Sequence, residues 1–314
     1  MAKLMSKKTK ETVQTTVVLV LIVLFIAFYI VYPLITVRKM TSRPDAGKFK
    51  DPEFILENSP AAFVEEGLSA DTFAVATDDN IHLAAAFFYP DSTQFATPKA
   101  TAILIHDIDK DRSSMIPYIR PFLDSGLAVV VYDQRACGLS GGRYHTPGRF
   151  EAEDLNQLIV KLKFDEKIYR PLIAIGFGGG ADAAMLASEE EMRLDRIIAV
   201  NPNLTPNRWI TNLKDRRGTL YIPFYRMVYY WWYKKLSGFP YDRFGAGDIQ
   251  PLTVRTELIM PEKELALDEV ARLREISGDL LTTIPEPDNA QELMRIILDG
   301  IYSSVMTIDS TGIE

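Results

Sequence analysis

The chain has 314 residues, of which 47% are hydrophobic and 25% charged, and these proportions describe a folded globular protein rather than a disordered one. Its net charge of −7, with no basic stripe interleaved with aromatic residues, gives no reason to expect a nucleic-acid partner. The single cysteine, Cys137, excludes an intrachain disulfide and a cysteine-rich metal site.

The first feature along the chain is a run without charged residues, 16–37, which follows a basic tail, 1–15. A bilayer-spanning helix needs about 20 apolar residues, so the run predicts a transmembrane helix. Tyr29, Tyr32 and Pro33 near its end suit the membrane interface. A cleaved signal peptide would need a shorter apolar core and a small-residue cleavage site, which the next residues do not offer. A buried core helix is the other alternative.

The basic residues on the two sides of this helix nearly balance, so the positive-inside rule alone does not set its orientation. A short basic tail before a first apolar segment behaves as a signal anchor. We therefore expect a single-pass membrane protein with its bulk on the extracytoplasmic side.

After the helix, residues 38–60 contain several prolines and mixed charges, and they are predicted to form a linker. Short apolar runs then alternate with helical segments, a spacing typical of βαβ units and a parallel sheet. The predicted strands are 73–77, 81–89, 100–105, 127–132, 172–175, 197–200 and 253–260, and the predicted helices between them are 113–125, 150–163 and 181–190.

The stretch 172–188 has the pattern of a nucleophile elbow, the strand–sharp turn–helix normally written G-x-S-x-G. An apolar strand breaks into Gly-Phe-Gly-Gly-Gly at 176–180, and a helix of small residues follows. Glycines flank such a turn because strand, turn and helix crowd together there and leave no room for a Cβ. The central position is Gly178, so the turn is present and the nucleophile is not.

Several motifs together resemble the α/β-hydrolase family, in particular its bacterial membrane-anchored members with an N-terminal helix. The segment 133–142, Asp-Gln-Arg-Ala-Cys-Gly-Leu-Ser-Gly-Gly, matches the family's Asp-x-Arg-Gly-x-Gly-x-Ser turn. His106-Asp107 stands where the family has His-Gly after its third strand, and the elbow follows. The resemblance implies an α/β fold, with a mostly parallel sheet flanked by helices and a cap insertion.

The same resemblance divides the chain into a core in two parts, a cap between them and a short tail. These are residues 61–202 and 253–302 for the core, 203–252 for an aromatic cap, and 303–314 for the tail.

Family catalysis needs a serine at the elbow, then an acid, then a histidine, in that chain order. Here Gly178 takes the serine's place, and Glu264 stands where the acid would be. All the histidines precede the elbow; they are His82, His106 and His145. Asp107 replaces the glycine beside the oxyanion loop, where a carboxylate would oppose the developing negative charge. We therefore expect a catalytically degenerate member that is not an enzyme.

An alternative is a non-standard enzyme that uses other residues at the same edge of the sheet. His106, Asp107 and Glu264 are expected near the carboxyl ends of the strands, where doubly wound folds bind ligands. Other acids are expected at that edge; they are Asp109, Glu262 and Glu286. A metal or polar-ligand site there is conceivable, but solvated loop acids explain the same pattern. We assign no metal and no cofactor.

The predicted cap contains six aromatic residues that are candidates for contact with a partner or a membrane: Trp209, Tyr229, Tyr230, Trp231, Trp232 and Tyr233. Five of them are consecutive, so they cannot share one helical face, and some must point away from the domain. Exposed aromatic side chains mark partner surfaces or membrane interfaces. A helix that packs its aromatics onto the sheet is the simpler alternative.

Together these features predict a membrane-anchored pseudo-hydrolase, a binding or accessory subunit of a membrane assembly. Its expected partners are the lipid bilayer, through residues 16–37, and one or more proteins of a membrane complex.

Overall fold

The computed structural model describes residues 7–43, 51–58, 61–108, 110–146, 148–187, 194–205, 208, 225–237 and 251–311. Within them lies one sheet of eight strands. The strands are β1 (Asp71–Ala76), β2 (His82–Phe88), β3 (Thr101–Ile105), β4 (Ala128–Tyr132), β5 (Leu172–Phe177), β6 (Arg196–Val200), β7 (Arg255–Met260) and β8 (Leu281–Pro285).

The sheet order is β1-β2-β4-β3-β5-β6-β7-β8, in which β2 pairs antiparallel with β1 and β4 and all other pairs are parallel. Every residue of β3 and β4 is buried, as expected of strands covered on both faces. The structure confirms the predicted α/β class, with a mostly parallel sheet and an antiparallel hairpin at one edge.

Helices cover both faces of the sheet. The helices are α1 (Lys7–Ile26), α2 (Tyr32–Thr41), α3 (Pro52–Asn58), α4 (Ala61–Glu65), α5 (Ile116–Asp124), α6 (Arg149–Phe164), α7 (Gly179–Ala187), α8 (Tyr225–Ser237), α9 (Asp268–Ser277) and α10 (Ala290–Thr311), with short 3-10 turns at Arg112–Met115, Glu262–Glu264 and Gly278–Leu280. On one face α6, α7 and α9 bury residues such as Leu158 and Leu273. On the other face α4, α5 and α10 bury residues such as Phe122 and Ile297.

The first described segment is one continuous helical run, in which a π-helical turn, Ala27–Val31, joins α1 to α2. Pro33 follows the turn and has no N–H to give to the carbonyl four residues earlier, which accounts for the local widening. The stretch Thr9–Thr36 is long and apolar enough to cross a membrane, and only 6% of its most apolar window is buried. That exposure excludes a buried core helix. A membrane anchor and a signal sequence both have this length and composition.

The apolar helix is joined to the sheet domain directly after its end. Ser42 forms an antiparallel bridge with Tyr144, and the Arg43 N–H donates to the carbonyl of Arg143 at 2.9 Å. The Arg43 guanidinium donates to three carbonyls of the 133–142 turn; they belong to Cys137 (3.0 Å), Ser140 (3.1 Å) and Gly138. We call this set of contacts the Arg43 clamp.

Parts of the predicted linker and tail are helical in the structure. The first helical run continues to Thr41, and α3 lies inside the predicted linker with Ile55 fully buried. Pro52 begins α3, since proline is favoured in the first helical turn, and the sequence pattern alone had suggested a break. Residues 303–311 of the predicted tail belong to α10, which runs to Thr311.

Candidate functional site

The turn between β5 and α7 is a sharp elbow whose backbone needs glycine. Gly178 has φ of +54°, and its N–H donates to the carbonyl of Val200 at 2.9 Å. A Cβ on Gly176 would lie less than 3.0 Å from the backbone of Gly180, and one on Gly180 less than 3.0 Å from the carbonyl oxygens of β3 and the residue after it. Strand, turn and helix therefore pack as closely as the sequence pattern predicts.

The side chain of Asp107 fills the space beside Gly178. A Cβ on Gly178 would lie less than 3.0 Å from the carboxyl carbon and both oxygens of Asp107. Asp107 Oδ1 accepts hydrogen bonds from the backbone N–H groups of Gly179 and Ile108, each at 2.8 Å. The Gly179 N–H is the first of α7, where a helix favours a negative partner.

The N–H groups of Gly179 and Ile108 correspond in position to two known hydrogen-bond donors of α/β-hydrolases. In α/β-hydrolases the oxyanion hole consists of the N–H of the residue after the nucleophile and an N–H from the loop after β3. Gly179 and Ile108 hold those two positions, and both donate to one carboxylate oxygen of the chain itself. Both N–H groups are thus bonded within the chain.

His106 is enclosed in the core and bonded through both ring nitrogens. Its Nδ1 lies 2.6 Å from the carbonyl oxygen of Asp107, and its Nε2 lies 3.0 Å from the backbone nitrogen of Gln134. The N–H of Gln134 can only donate, so Nε2 accepts and Nδ1 carries the proton. Burial lowers the pKa of His106, which favours this neutral form. His106 therefore holds the loop after β3 against the loop after β4.

The acids predicted at the edge of the sheet have separate partners. Glu264 accepts from the guanidinium of Arg208 at 2.5 Å, and Glu286 accepts from the amide of Asn201 at 2.6 Å. Asp109 lies outside the described residues. Among the residues that the structure describes, no three His, Cys, Asp or Glu side chains come together as metal ligands would.

Asp182, one turn into α7, is a second buried acid near the elbow. Its carboxylate accepts from the amide of Asn203 (2.7 Å) and from the N–H of Leu204 (2.8 Å). Burial raises the pKa of Asp182 to about 7, and the charge of Asp107 adds to the rise. Asp182 thus holds the loop after β6 against α7.

Cys137 and His145 are buried close together beside the loop after β3, with Sγ of Cys137 3.9 Å from Nε2 of His145. The thiol donates to the carbonyl of Ile108 at 3.1 Å, and burial raises its pKa. Burial also lowers the pKa of His145 to about 3. Both groups are therefore neutral at physiological pH, which is the state of a packed core pair rather than of a nucleophile and its base.

The aromatic residues of α8 face in different directions. Tyr229 is buried, Trp231 is 51% exposed, and the indole N–H of Trp232 donates to the carbonyl of Ile30 in the π-helical turn at 3.1 Å. Trp209 and the side chains of Tyr230 and Tyr233 lie outside the described residues. One face of α8 thus packs on the apolar helix, and another is open.

The sequence reasoning missed some partners that hold the site. It identified Gly178 and Asp107, but not that Asp107 would itself bond to Ile108 and Gly179. The rule that names the two oxyanion donors was a usable signal. Asp182 was not singled out, although an acid in a helix of small residues directly after the elbow is visible in the sequence.

Comparison with solved structures shows the class of fold. The chain superposes on the esterase Pf2001 of Pyrococcus furiosus with a TM-score of 0.58 and 20% identity, over 77% of this chain and 96% of that one. It superposes on the α/β hydrolase GrgF of Penicillium sp. sh18 with a TM-score of 0.54 and 15% identity, over 76% and 100% of the two chains. This protein therefore has an α/β-hydrolase fold, as its motifs predicted.

Comparison of the sequence with known proteins assigns the chain to no family. No family model matches the chain. The uncharacterized protein YqkD of Bacillus subtilis (strain 168) is 29% identical over 142 residues, which cover 40% of this chain and 46% of YqkD. The chain thus spans less than half the length of this curated relative.

Proposed function

We propose that this protein is a membrane-anchored pseudo-hydrolase that works as a binding or accessory subunit of a membrane protein assembly. The observation that carries the proposal is the Asp107 carboxylate, which lies against Gly178 and accepts from both oxyanion donors. Acyl transfer needs a nucleophile at that position and free donors for the oxyanion. The histidine that would activate the nucleophile is also missing from the segment after β8.

The contacts of the apolar helix support an anchor that stays with the domain rather than a signal that is removed. Its α2 segment packs against α8, and the Arg43 clamp ties its end to the 133–142 turn. Cleavage after the helix would leave those partners uncovered. The basic N-terminal tail supports a cytoplasmic N-terminus and an extracytoplasmic domain. Protease added to sealed cells tests this orientation, because it should digest an extracytoplasmic domain and leave a cytoplasmic one intact.

The first test of the proposal is a hydrolysis panel on the full-length protein in detergent. We expect background rates on aryl esters and aminoacyl anilides, with and without divalent metals. The double variant Asp107→Gly/Gly178→Ser should also stay at background, because it gains a hydroxyl and frees the donors but still lacks the histidine. Turnover by the unmodified protein that is abolished on removal of the Asp107 carboxylate would contradict the proposal.

The second test asks for the partner. We expect the tagged protein, extracted from its own membranes in mild detergent, to migrate in native gels as a complex larger than the monomer. A detergent-resistant band of constant composition, cut and analysed, identifies the assembly. Recovery of free monomer at every extraction condition would argue against an accessory subunit.

The alternative enzyme, with chemistry at His106, Asp107 and Glu264, gains no support from an observation here. Both ring nitrogens of His106 are bonded, and Glu264 pairs with Arg208. The same hydrolysis panel with metals tests this alternative.

A further inference from the structure

We propose that α8 is a second membrane-contacting element, and that its open face lies among the lipid headgroups beside the anchor. The inference rests on the proposed membrane anchor and names what the open face of the cap contacts. That face carries Met227, Trp231 and Lys235, which follow one another at a spacing of four residues and so share one side of the helix. Met227 is 60% exposed and Trp231 51% exposed.

The indole of Trp232 fixes the level of α8 along the anchor. Its N–H donates to the carbonyl of Ile30, and Ile30 lies within the span Thr9–Thr36. Ile30 stands between Tyr29 and Tyr32, which suit the membrane interface. Trp232 therefore bonds to the anchor at the level of its interfacial tyrosines, where tryptophan is enriched in membrane proteins.

The bond from Trp232 lies in the π-helical turn of the anchor. The Tyr32 N–H bonds to the carbonyl of Ala27, five residues earlier, instead of following the usual four-residue pattern. Ile30, whose carbonyl accepts from the indole of Trp232, lies in this widened turn.

The chemistry of the open face favours lipid over a protein partner. The rings of Trp231 and Trp232 lie 4.5 Å apart, and Lys235 Nζ lies 5.2 Å and 5.6 Å from their centroids. Aromatic rings with lysines at their outer edge are typical of helices at the bilayer surface. The face is also continuous with the exposed apolar helix on which α8 packs. The basic pair at the end of α8, Lys234 and Lys235, suits the phosphate groups that lipid headgroups carry.

Quenching of tryptophan fluorescence by brominated lipid tests the inference on the full-length protein in vesicles. In the variant Trp209→Phe/Trp232→Phe, only Trp231 remains. We expect dibrominated phosphatidylcholine to cause about a two-fold loss of its emission, because interfacial tryptophans lie within reach of the acyl bromines. Trp232, left alone by Trp209→Phe/Trp231→Phe, should be quenched at least as strongly.

A matched control places the probe at the other end of the sheet. Phe164 is 82% exposed at the end of α6, where the strands begin, opposite the elbow and the cap. In the variant Trp209→Phe/Trp231→Phe/Trp232→Phe/Phe164→Trp, we expect emission that brominated lipid does not change. Emission from Trp231 that is equally insensitive would overturn the inference.

The readouts separate this inference from the proposed anchor. Vesicle flotation after a carbonate wash reports the anchor, and quenching reports α8. Flotation without quenching of Trp231 would leave the anchor and remove the inference. Absence of flotation would remove both. A photo-cross-link from position 231 to a protein in native membranes, together with no quenching, would assign the open face to a protein partner instead.

Discussion

At the scale of single residues, the side chain of Asp107 determines what position 178 of the elbow can hold. The sequence shows that the nucleophile position is Gly178 and that an acid replaces the glycine beside the oxyanion loop. In the structure these two changes are one arrangement, because the carboxylate of Asp107 lies where a side chain at 178 would start. A side chain at position 178 and the present position of the Asp107 carboxylate thus exclude each other sterically.

This steric exclusion predicts how much stability a serine at position 178 would cost. We expect Gly178→Ser to lower the free energy of unfolding by about 1–3 kcal/mol more than Gly278→Ser, because crowding against Asp107 adds to backbone strain. Both glycines have φ of +54°, but a Cβ at Gly278 would meet nothing within 4 Å. Thermal melting of the purified variants measures the difference. Asp107→Gly should recover part of the loss at Gly178→Ser, and equal losses at the two glycines would argue against crowding.

A second residue-scale feature is the buried acid Glu151 of α6. The Thr146 N–H donates to its Oε1 at 2.8 Å, and the Thr146 hydroxyl donates to its Oε2. Burial raises the pKa of Glu151 from 4.5 to about 7, although Arg135 opposes the rise. The folded state therefore keeps a proton that the unfolded chain releases, and stability falls as the pH rises through this range.

We expect Glu151→Gln to remove this dependence, because the amide keeps an acceptor for the Thr146 N–H and can donate to the hydroxyl oxygen. The variant should match the unmodified protein near about pH 4 and exceed its stability by up to about 3 kcal/mol near about pH 8. Denaturant melts across pH measure this. Glu153→Gln, on the same helix with a carboxylate that is 44% exposed, should leave the pH dependence unchanged. Parallel curves for Glu151→Gln and the unmodified protein would refute the expectation.

At the scale of elements, the strands were predictable and the segments around them were not. Runs such as those of β3 and β4 are fully apolar, so local pattern suffices to identify them. The direction of the Asp107 side chain depends on Gly178 and Gly179, some seventy residues later in the chain. The packing of α8 on the apolar helix is more distant still, since Trp232 and Ile30 are 202 residues apart. No sequence pattern near either residue predicts these two contacts.

The Arg43 clamp is the element-scale contact whose removal is easiest to measure. Because a charged donor serves three carbonyls of one turn, we expect Arg43→Ala to cost about 1–3 kcal/mol of unfolding free energy and to expose the chain near Ser42 to proteases. Arg120→Ala is the control: Arg120 is exposed and donates to one carbonyl, that of Gly67, at 3.2 Å. It should change stability by less than about 0.5 kcal/mol. Limited proteolysis with melting curves compares the two, and equal behaviour would show that the clamp contributes no stability.

At the scale of the whole molecule, the fold was predictable because its motifs occur in a fixed chain order. The 133–142 turn, the elbow and the alternation of strands and helices together define the α/β-hydrolase fold, which the solved structures confirm. Function is a property of the site and not of the fold, so the same comparison leaves activity open. The positions of Gly178 and Asp107 carry the functional argument instead.

The apolar helix and the residues directly after it contact the rest of the molecule at two separate points along the helix axis. Ile30 bonds to α8, and Arg43 bonds to the 133–142 turn. Arg43 follows Ile30 by thirteen residues, which are helical as far as Thr41, so the two points lie about 20 Å apart. Two contacts this far apart oppose rotation of the sheet about the end of the helix. If the helix spans a bilayer, as we propose, the edge of the sheet that carries the elbow stays at a constant height relative to the membrane.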